Sequence, residues 1–241
     1  MKEIAPGIWR WTARHPEWHT RIEWGHEVAS FGLVGEALVL VDPLLPVSGA
    51  GVGPDVGARP GAAARAAVER ALDRLAREAA RLEIMITIPY HARSAEELLA
   101  RYRDTLPTTI WGHRAVARRF RDPATTLREI APHQRAGNDG VLALAIGKPR
   151  RFEMPLYFPA HRVLAFGDAV IGIDGGLRVW QQASTDPAWH DGVFVPTMRP
   201  LLDLDVERVL VTHGDPVLHD GRRALAAAMA AGPWDYRSTK D

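Results

Sequence analysis

The strongest constraint on the fold is a pattern that occurs twice along the chain. In the first half, a short apolar run ends on Asp42, and a later apolar run ends in a turn that carries His91. In the second half, the run V-L-A-F passes through a glycine to Asp168, and the run V-L-V-T ends on His213. A buried strand that ends on a polar residue places it at the edge of a sheet, where open α/β sheets collect their ligands. The pattern therefore predicts that two acids and two histidines converge at one rim.

The segments between these strands contain helical periods. Residues 62–82 have apolar side chains at steps of four, three and four, which indicates an amphipathic helix. Two similar halves stacked sheet to sheet, with their helices outside, predict a four-layer αββα sandwich of the α/β (α+β) class. No low-complexity linker divides the 241 residues, so we expect a single domain over residues 1–241.

Composition narrows the classes of function. The net charge of +1 gives no general attraction to nucleic acid or to an anionic membrane, so neither is an expected partner. The chain has no cysteine, which excludes disulfides and thiolate metal sites and leaves histidine and carboxylate as the only strong metal ligands. No stretch approaches the roughly 18 apolar residues of a membrane span, and no signal-peptide h-region is present, so a cytoplasmic protein is expected.

One stretch near the N-terminus is rich in tryptophan and histidine. The histidines are His15, His19 and His26, of which His15 and His19 are four residues apart. We interpret the stretch as a lid or packing patch. A partner-binding surface and a homo-oligomer contact remain open, as does a fold-back of one of these histidines to complete the rim site.

Several motifs resemble those of the metallo-β-lactamase fold superfamily, in the family's order. They are A-P-G-I-W near the start, L-V-L-V-D-P at 38–43, P-Y-H-A-R-S at 89–94, L-Y-F-P-A-H-R-V-L-A-F-G-D at 156–168 and V-L-V-T-H-G-D-P-V at 209–217. The resemblance covers about residues 5–232 and implies the αββα sandwich. It also implies a hydrolase-like protein, since most members are hydrolases with one or two metal ions, commonly zinc, at the rim.

The resemblance assigns roles to three residues of the twofold pattern. Asp42 matches the structural acid of the first motif, Asp168 the carboxylate that bridges two metal ions, and His213 the last histidine ligand of the second ion. A third motif, with a glycine and a histidine before the hairpin, falls near Gly147, where no histidine occurs.

The second motif departs from the family's H-x-H-x-D-H. Pro89 stands at the first histidine, His91 keeps the second, Arg93 replaces the aspartate and Ser94 replaces the last histidine. A fixed guanidinium raises the cost of binding a dication. The sequence therefore indicates a degenerate metal site that holds at most one divalent ion, zinc being the best candidate, or none.

Two hypotheses follow for the rim. In the first, His91, Asp168 and His213 hold one metal ion whose bound water is the nucleophile, with Asp168 and His91 as the catalytic groups. In the second, a metal-free pseudoenzyme or binding protein uses Arg93 and Ser94 to bind a small anionic molecule. Whether the chain is an enzyme stays open between them.

The remaining polar residues are interpreted as structural or surface residues. Ser94 precedes acidic residues at the start of a helical stretch, so we interpret it as an N-cap rather than a nucleophile. Four further histidines match no ligand position of the motifs and are expected to be surface or turn residues: His113, His161, His190 and His219.

Overall fold

The centre of the molecule consists of two β-sheets packed face to face. The computed structural model describes residues 1–18, 25–47, 61–137, 139–147, 152–180 and 187–234. The first sheet has seven strands in the order β1-β2-β3-β4-β5-β6-β7. They are β1 (Lys2–Ala5), β2 (Ile8–Arg14), β3 (Glu27–Val34), β4 (Leu38–Val41), β5 (Leu82–Ile86), β6 (Thr108–Gly112) and β7 (Leu127–Glu129).

The second sheet has five strands in the order β14-β11-β10-β9-β8, and a third sheet has three strands in the order β12-β13-β15. The strands are β8 (Arg135–Ala136), β9 (Val141–Ala143), β10 (Leu156–Phe158), β11 (Val163–Phe166), β12 (Val170–Ile173), β13 (Gly176–Trp180), β14 (Arg208–Val211) and β15 (Pro233–Trp234).

Helices cover the outer faces of the two large sheets. They are α1 (Gly61–Glu78), α2 (Ala95–Tyr102), α3 (Pro187–Trp189), α4 (Val195–Met198) and α5 (Gly221–Ala230). Single helical turns connect other elements, at Pro89–Ala92, Arg114–Arg119, Pro159–His161, His190–Phe194 and Arg199–Asp203. None of the helices in these ranges combines the length and apolar character needed to cross a bilayer.

Three clusters of buried side chains separate four layers. Phe31 and Met85 of the first sheet pack against Leu156 and Ala165 of the second, which forms the central layer of the core. The other face of the first sheet packs on α1 and α2, and the other face of the second sheet packs on α4 and α5. Each fully buried large apolar side chain contributes about 1.5–3 kcal/mol of transfer free energy. The predicted αββα sandwich is confirmed.

The twofold pattern of the sequence corresponds to two parallel strand pairs. In the first sheet β4 is parallel to β5, and in the second sheet β11 is parallel to β14. Parallel strands buried on both faces appear as largely apolar runs. Strands β4 and β11 are wholly apolar, and β5 and β14 each contain one charged residue, Glu83 and Arg208. Since the strands of each pair run in the same direction, the residues that follow them lie at the same edge of each sheet.

Several local expectations need correction. The predicted helix 62–82 begins one residue earlier and ends at Glu78. The hairpin of β12 and β13 was not expected, and β7 and β8 lie in a segment expected to be mostly loop. His190 is buried, with its Nδ1 atom 2.8 Å from Asp191 Oδ1, so its assignment as a surface or turn residue was wrong.

Candidate functional site

Asp42 follows β4 and is held by hydrogen bonds from its own half of the molecule. Its Oδ1 atom accepts the backbone N–H of Thr87 at 2.8 Å, and its Oδ2 atom accepts the Thr87 hydroxyl. The Ser30 hydroxyl donates to the Asp42 carbonyl at 3.0 Å and accepts the N–H of Leu44 at 2.9 Å. The Asp42 backbone has a φ of 48°, a left-handed conformation that is uncommon for residues other than glycine. These contacts fix the carboxylate toward the next strand.

His91 lies between two carboxylates. Its Nδ1 atom is 2.9 Å from Asp42 Oδ2, and its Nε2 atom is 3.2 Å from Asp168 Oδ1. A neutral imidazole has one N–H and can donate to only one of them, whereas an imidazolium can donate to both. Burial and the Arg93 charge act to lower the pKa of His91, but Asp42 and Asp168 outweigh them, so this pKa is raised. The geometry therefore favours a protonated His91.

Asp168 lies between the two predicted histidines, because both of them face the same oxygen of its carboxylate. His213 Nε2 lies 3.3 Å from Asp168 Oδ1, the atom that also faces His91. Burial acts to raise the pKa of Asp168, but His91 and His213 outweigh it and hold that pKa well below its usual range. For His213, burial lowers the pKa further than Asp168 can raise it. The pKa values of the two histidines are thus shifted in opposite directions.

The loop that carries Asp168 is held from beneath by Glu153. The Glu153 carboxyl accepts the backbone N–H groups of Gly167 at 3.0 Å and Ala169 at 3.0 and 3.1 Å. A Cβ atom on Gly167 would lie 2.6 Å from the Thr87 hydroxyl, so glycine is required at this close approach. Burial and the neighbouring Asp168 raise the pKa of Glu153 to about 8. Glu153 is therefore mainly protonated at neutral pH.

Arg93 brings a guanidinium to the same cluster. Its Nη1 atom donates to the Asp42 carbonyl at 3.1 Å, and its charge acts on both Asp42 and Asp168. The Nε atom is buried and has no hydrogen-bond partner among the described residues. Burial lowers the pKa of Arg93, which stays charged because arginine begins far above neutral pH. The backbone has a φ of 37° and a ψ of −111°, a combination that costs of order 1–3 kcal/mol and concentrates at functional sites.

The cluster balances its charges without an ion. Asp42 and Asp168 carry two negative charges, and His91 and Arg93 carry two positive ones. A dication that displaced the His91 proton would leave the buried cluster with one excess positive charge, beside the fixed charge of Arg93. Within the described ranges, no group of three or more histidine, aspartate and glutamate side chains has the geometry to hold a metal ion. The residues present do not fit a metal centre of the kind that the family's complete motifs bind.

The other predicted site residues lie close by but differ in role. Ser94 is buried at the N-terminus of α2, but its hydroxyl accepts the N–H of Leu45 at 2.9 Å and does not cap the helix. It therefore fixes the loop after Asp42. Gly147 is described, with Lys148 and Pro149 of the third motif outside the described residues.

His15 approaches the rim from the end of β2. Burial, together with the charge of Arg93, lowers the pKa of His15 to about 4, and His91 and His213 act on it in the same direction. Its Nδ1 atom accepts the N–H of Glu17 at 3.2 Å, which leaves the proton of the neutral ring on Nε2. His26 packs edge-on against Trp18, with ring centroids 5.6 Å apart, whereas His19 lies outside the described residues.

Two residues of the site were missed at the sequence level. Glu153 and Thr87 both stand in strongly apolar surroundings, F-E-M-P-L and M-I-T-I-P. A polar residue buried in such a run needs a hydrogen-bond partner, so a polar residue within an apolar run was a signal that could have identified both residues. The identity of each partner depends on the tertiary structure.

The comparisons with known proteins agree on the fold. No protein-family model and no curated protein matches the sequence. Among solved structures, a β-lactamase domain protein from Burkholderia ambifaria has a TM-score of 0.60 and 17% identity, covering 95% of this chain and 74% of its own. A metallo-β-lactamase from Hirschia baltica has a TM-score of 0.58 and 15% identity, covering 97% of both chains.

A third solved structure has the same fold. It is a metallo-β-lactamase from Pseudomonas aeruginosa in a mono-zinc form, with a TM-score of 0.57 and 14% identity, covering 95% of this chain and 93% of its own. Similarity at this level of identity shows the fold and leaves the chemistry of the rim to be argued from the residues described above. The chain has the metallo-β-lactamase fold, as its motifs indicated.

Proposed function

We propose that this hydrolase-like protein binds a small anionic molecule at the rim of its metallo-β-lactamase fold without a metal ion. The observation that carries the proposal is Arg93, whose guanidinium stands in a charge-balanced cluster with Asp42, His91 and Asp168. Arginine binds carboxylates and phosphates through parallel hydrogen bonds, and its Nε atom has no other partner among the described residues.

The neighbours of Arg93 suit an anion for a further reason. His91 is held in its protonated form by two carboxylates, so its Nε2–H can exchange Asp168 for an oxygen of the bound anion. The anion adds one negative charge to the cluster, and Arg93 and His91 are the cations that face it. Asp42 remains bound to Thr87 in that exchange and keeps the ring in place. The site is therefore organised to accept one negative group.

A second candidate function, hydrolysis of the bound anion, is favoured by the opposed histidines. The pKa of His91 is raised and that of His213 is lowered, although both face Asp168 Oδ1. Titratable groups whose environments push their pKa values apart serve as acid and base. In this reaction His213 would take a proton from water and His91 would donate one to the leaving group. The rival one-metal mechanism would use His91, Asp168 and His213 as ligands of a zinc ion.

The test combines elemental analysis with thermal unfolding. Purified protein is expected to contain no stoichiometric zinc, manganese or iron, and its melting temperature is expected to rise with millimolar phosphate, pyrophosphate or citrate. Arg93→Ala should abolish this rise, and Arg93→Lys should retain a weaker one because it keeps the charge and loses the planar fork. Arg223→Ala, which removes an arginine that is paired with Asp220 on the surface, is the matched control and should respond as the unmodified protein does.

Two results would overturn the proposal. One is a stoichiometric metal ion that is lost on substitution of His213, which would support the one-metal mechanism. The other is an anion response that is unchanged in Arg93→Ala.

A further inference from the structure

Exposed apolar side chains are concentrated around the rim. Three large apolar residues of the described chain are strongly exposed: Val47, Tyr90 at 50% and Phe152 at 40%. Tyr90 directly precedes His91, and Phe152 directly precedes Glu153, which holds the loop of Asp168. Each exposed ring is therefore one residue from a buried member of the site. Large exposed apolar side chains grouped in this way mark binding surfaces more often than isolated ones do.

Both rings are held flat against a neighbour. The Arg119 guanidinium lies over the Tyr90 ring, 4.1 Å from its centroid, and His113 stacks on Phe152 with centroids 4.5 Å apart and an interplanar angle of 9°. His113 is itself fixed, because its Nδ1 atom accepts the N–H of Ala115 at 3.1 Å. These contacts hold two aromatic planes in place before any ligand arrives, which lowers the entropic cost of stacking on them.

The backbone of Phe152 supports a role in binding. Its φ of 58° is a left-handed conformation that a bulky side chain rarely adopts. Phe152 stays 40% exposed although it stacks on His113, so the packing gained in this conformation is limited. Strain that is not repaid by packing is a feature of residues kept for ligand contact.

The same surface carries uncompensated positive charge. Arg114, Arg118, Arg119 and Arg121 are exposed, and none of them forms an ion pair with a carboxylate in the described part of the chain. By contrast, one arginine in each of α1, α2 and α5 forms such a pair: Arg65, Arg101 and Arg223. The nearby Glu96 carboxylate is bound by the backbone N–H groups that follow the arginine-rich turn. The surface therefore complements a negatively charged ligand.

We propose that Tyr90, Phe152, His113 and Arg119 form a stacking surface that recognises a flat aromatic ring on the anion bound at Arg93. The inference rests on the proposed function, since Arg93 anchors the negative group while the ring lies against the stacking surface. It names the ligand class as an aryl or heteroaryl ring joined to a phosphate or carboxylate, of the size of a nucleoside monophosphate. A ring without a charge and an anion without a ring would each satisfy only half of the site.

Isothermal titration with four probes tests this ligand class. The probes are adenosine 5′-monophosphate, phenyl phosphate, ribose 5-phosphate and inorganic phosphate. The first two should bind at least about tenfold more tightly than the last two, because aromatic stacking contributes on that scale. Phe152→Ala should remove this difference and leave the affinity for inorganic phosphate unchanged, whereas Phe152→Trp should keep it. Arg223→Ala serves again as the surface control.

The outcomes separate the two proposals. If all four probes bind with equal affinity and the binding depends on Arg93, the proposed function stands and the stacking surface is wrong. If Phe152→Ala weakens all four probes equally while Phe152→Trp restores them, Phe152 maintains the site and recognises no ring, which also overturns the inference. If neither the unmodified protein nor any variant binds a probe, both proposals fail.

Discussion

Each half of the molecule contributes one aspartate and one histidine to the rim, but the two aspartates are held differently. In the first half, Asp42 is saturated by Thr87 and His91, and its backbone is fixed by Ser30. In the second half, Asp168 has its carboxylate turned toward both histidines, and it is held through the backbone of its loop. The acid of the first half acts on one histidine, whereas the acid of the second half acts on both.

This difference separates an acid held by fixed donors from an acid that faces titratable groups. The donors that face Asp42 include a backbone amide, which cannot lose its proton or move away if the carboxylate is removed. The partners of Asp168 are histidines, which can change their protonation to compensate. Substitution of the two acids, although they lie at equivalent places in the fold, should therefore destabilise the protein to different extents.

The largest effect is expected from Asp42→Ala. It leaves the Thr87 N–H and hydroxyl without an acceptor in the core and should lower the free energy of unfolding by about 3–5 kcal/mol. Asp168→Ala should cost about 1–3 kcal/mol, because His91 can become neutral. Urea unfolding followed by circular dichroism measures both values. Equal losses, or a larger loss in Asp168→Ala, would mean that the two acids are equivalent supports and would remove the distinction drawn above.

The next effect concerns Glu153 and pH. Its pKa of about 8 in the folded protein lies above the usual value, so the folded state holds more protons than the unfolded state between about pH 4.5 and 8. Stability must then fall as pH rises through that interval, by a few kcal/mol at the scale of roughly 1.4 kcal/mol per pKa unit. Glu153→Gln mimics the protonated form and should be more stable than the unmodified protein at pH 8 and equal to it near pH 4.5. If the difference between the two proteins does not change with pH, Glu153 is ionised in the fold.

The kinds of interaction in the two halves explain which of their features the sequence predicted. Asp42, His91, Asp168 and His213 could be found because each follows an apolar run, and parallel strands bring such ends to one edge. The same logic predicted the four layers, since helical and strand periods are local properties of the chain.

The remaining features depend on contacts between distant segments. The Ser94 hydroxyl bonds to Leu45, although its place before α2 predicted a cap. Glu153 has no motif of its own, because its partners are backbone groups that are present at every residue. His190 is buried by the packing of short helical turns, which no period in the sequence predicts. Sequence patterns predicted the strand ends, and tertiary packing decided the partners.

The third prediction asks whether the first half can be returned to metal binding. Arg93→Asp replaces the guanidinium with a carboxylate beside His91 and Asp168, so both the charge balance and the number of ligand groups change in favour of a cation. Zinc at about 100 times its dissociation constant should then stabilise this variant by about 2.7 kcal/mol, whereas the unmodified protein should not respond. Thermal unfolding with and without zinc, with Arg93→Asn as the uncharged control, provides the measurement. Zinc stabilisation of the unmodified protein would show that Arg93 does not oppose a metal ion.

The smallest effect isolates the backbone of Arg93 from its side chain. Arg93→Ala and Arg93→Gly both remove the guanidinium, but only glycine relieves a φ of 37° with a ψ of −111°. The glycine variant should therefore be more stable than the alanine variant by about 1–2 kcal/mol, although neither binds the anion. Urea unfolding compares the stabilities, and titration with phosphate compares the binding. An equal stability would show that the loop relaxes once the side chain is lost, so that the guanidinium itself holds the backbone in this conformation. The backbone conformation of Arg93 would then be a consequence of the ion cluster. Because Asp168 contributes to that cluster from the second half, the second half would determine the geometry of the rim in the first half.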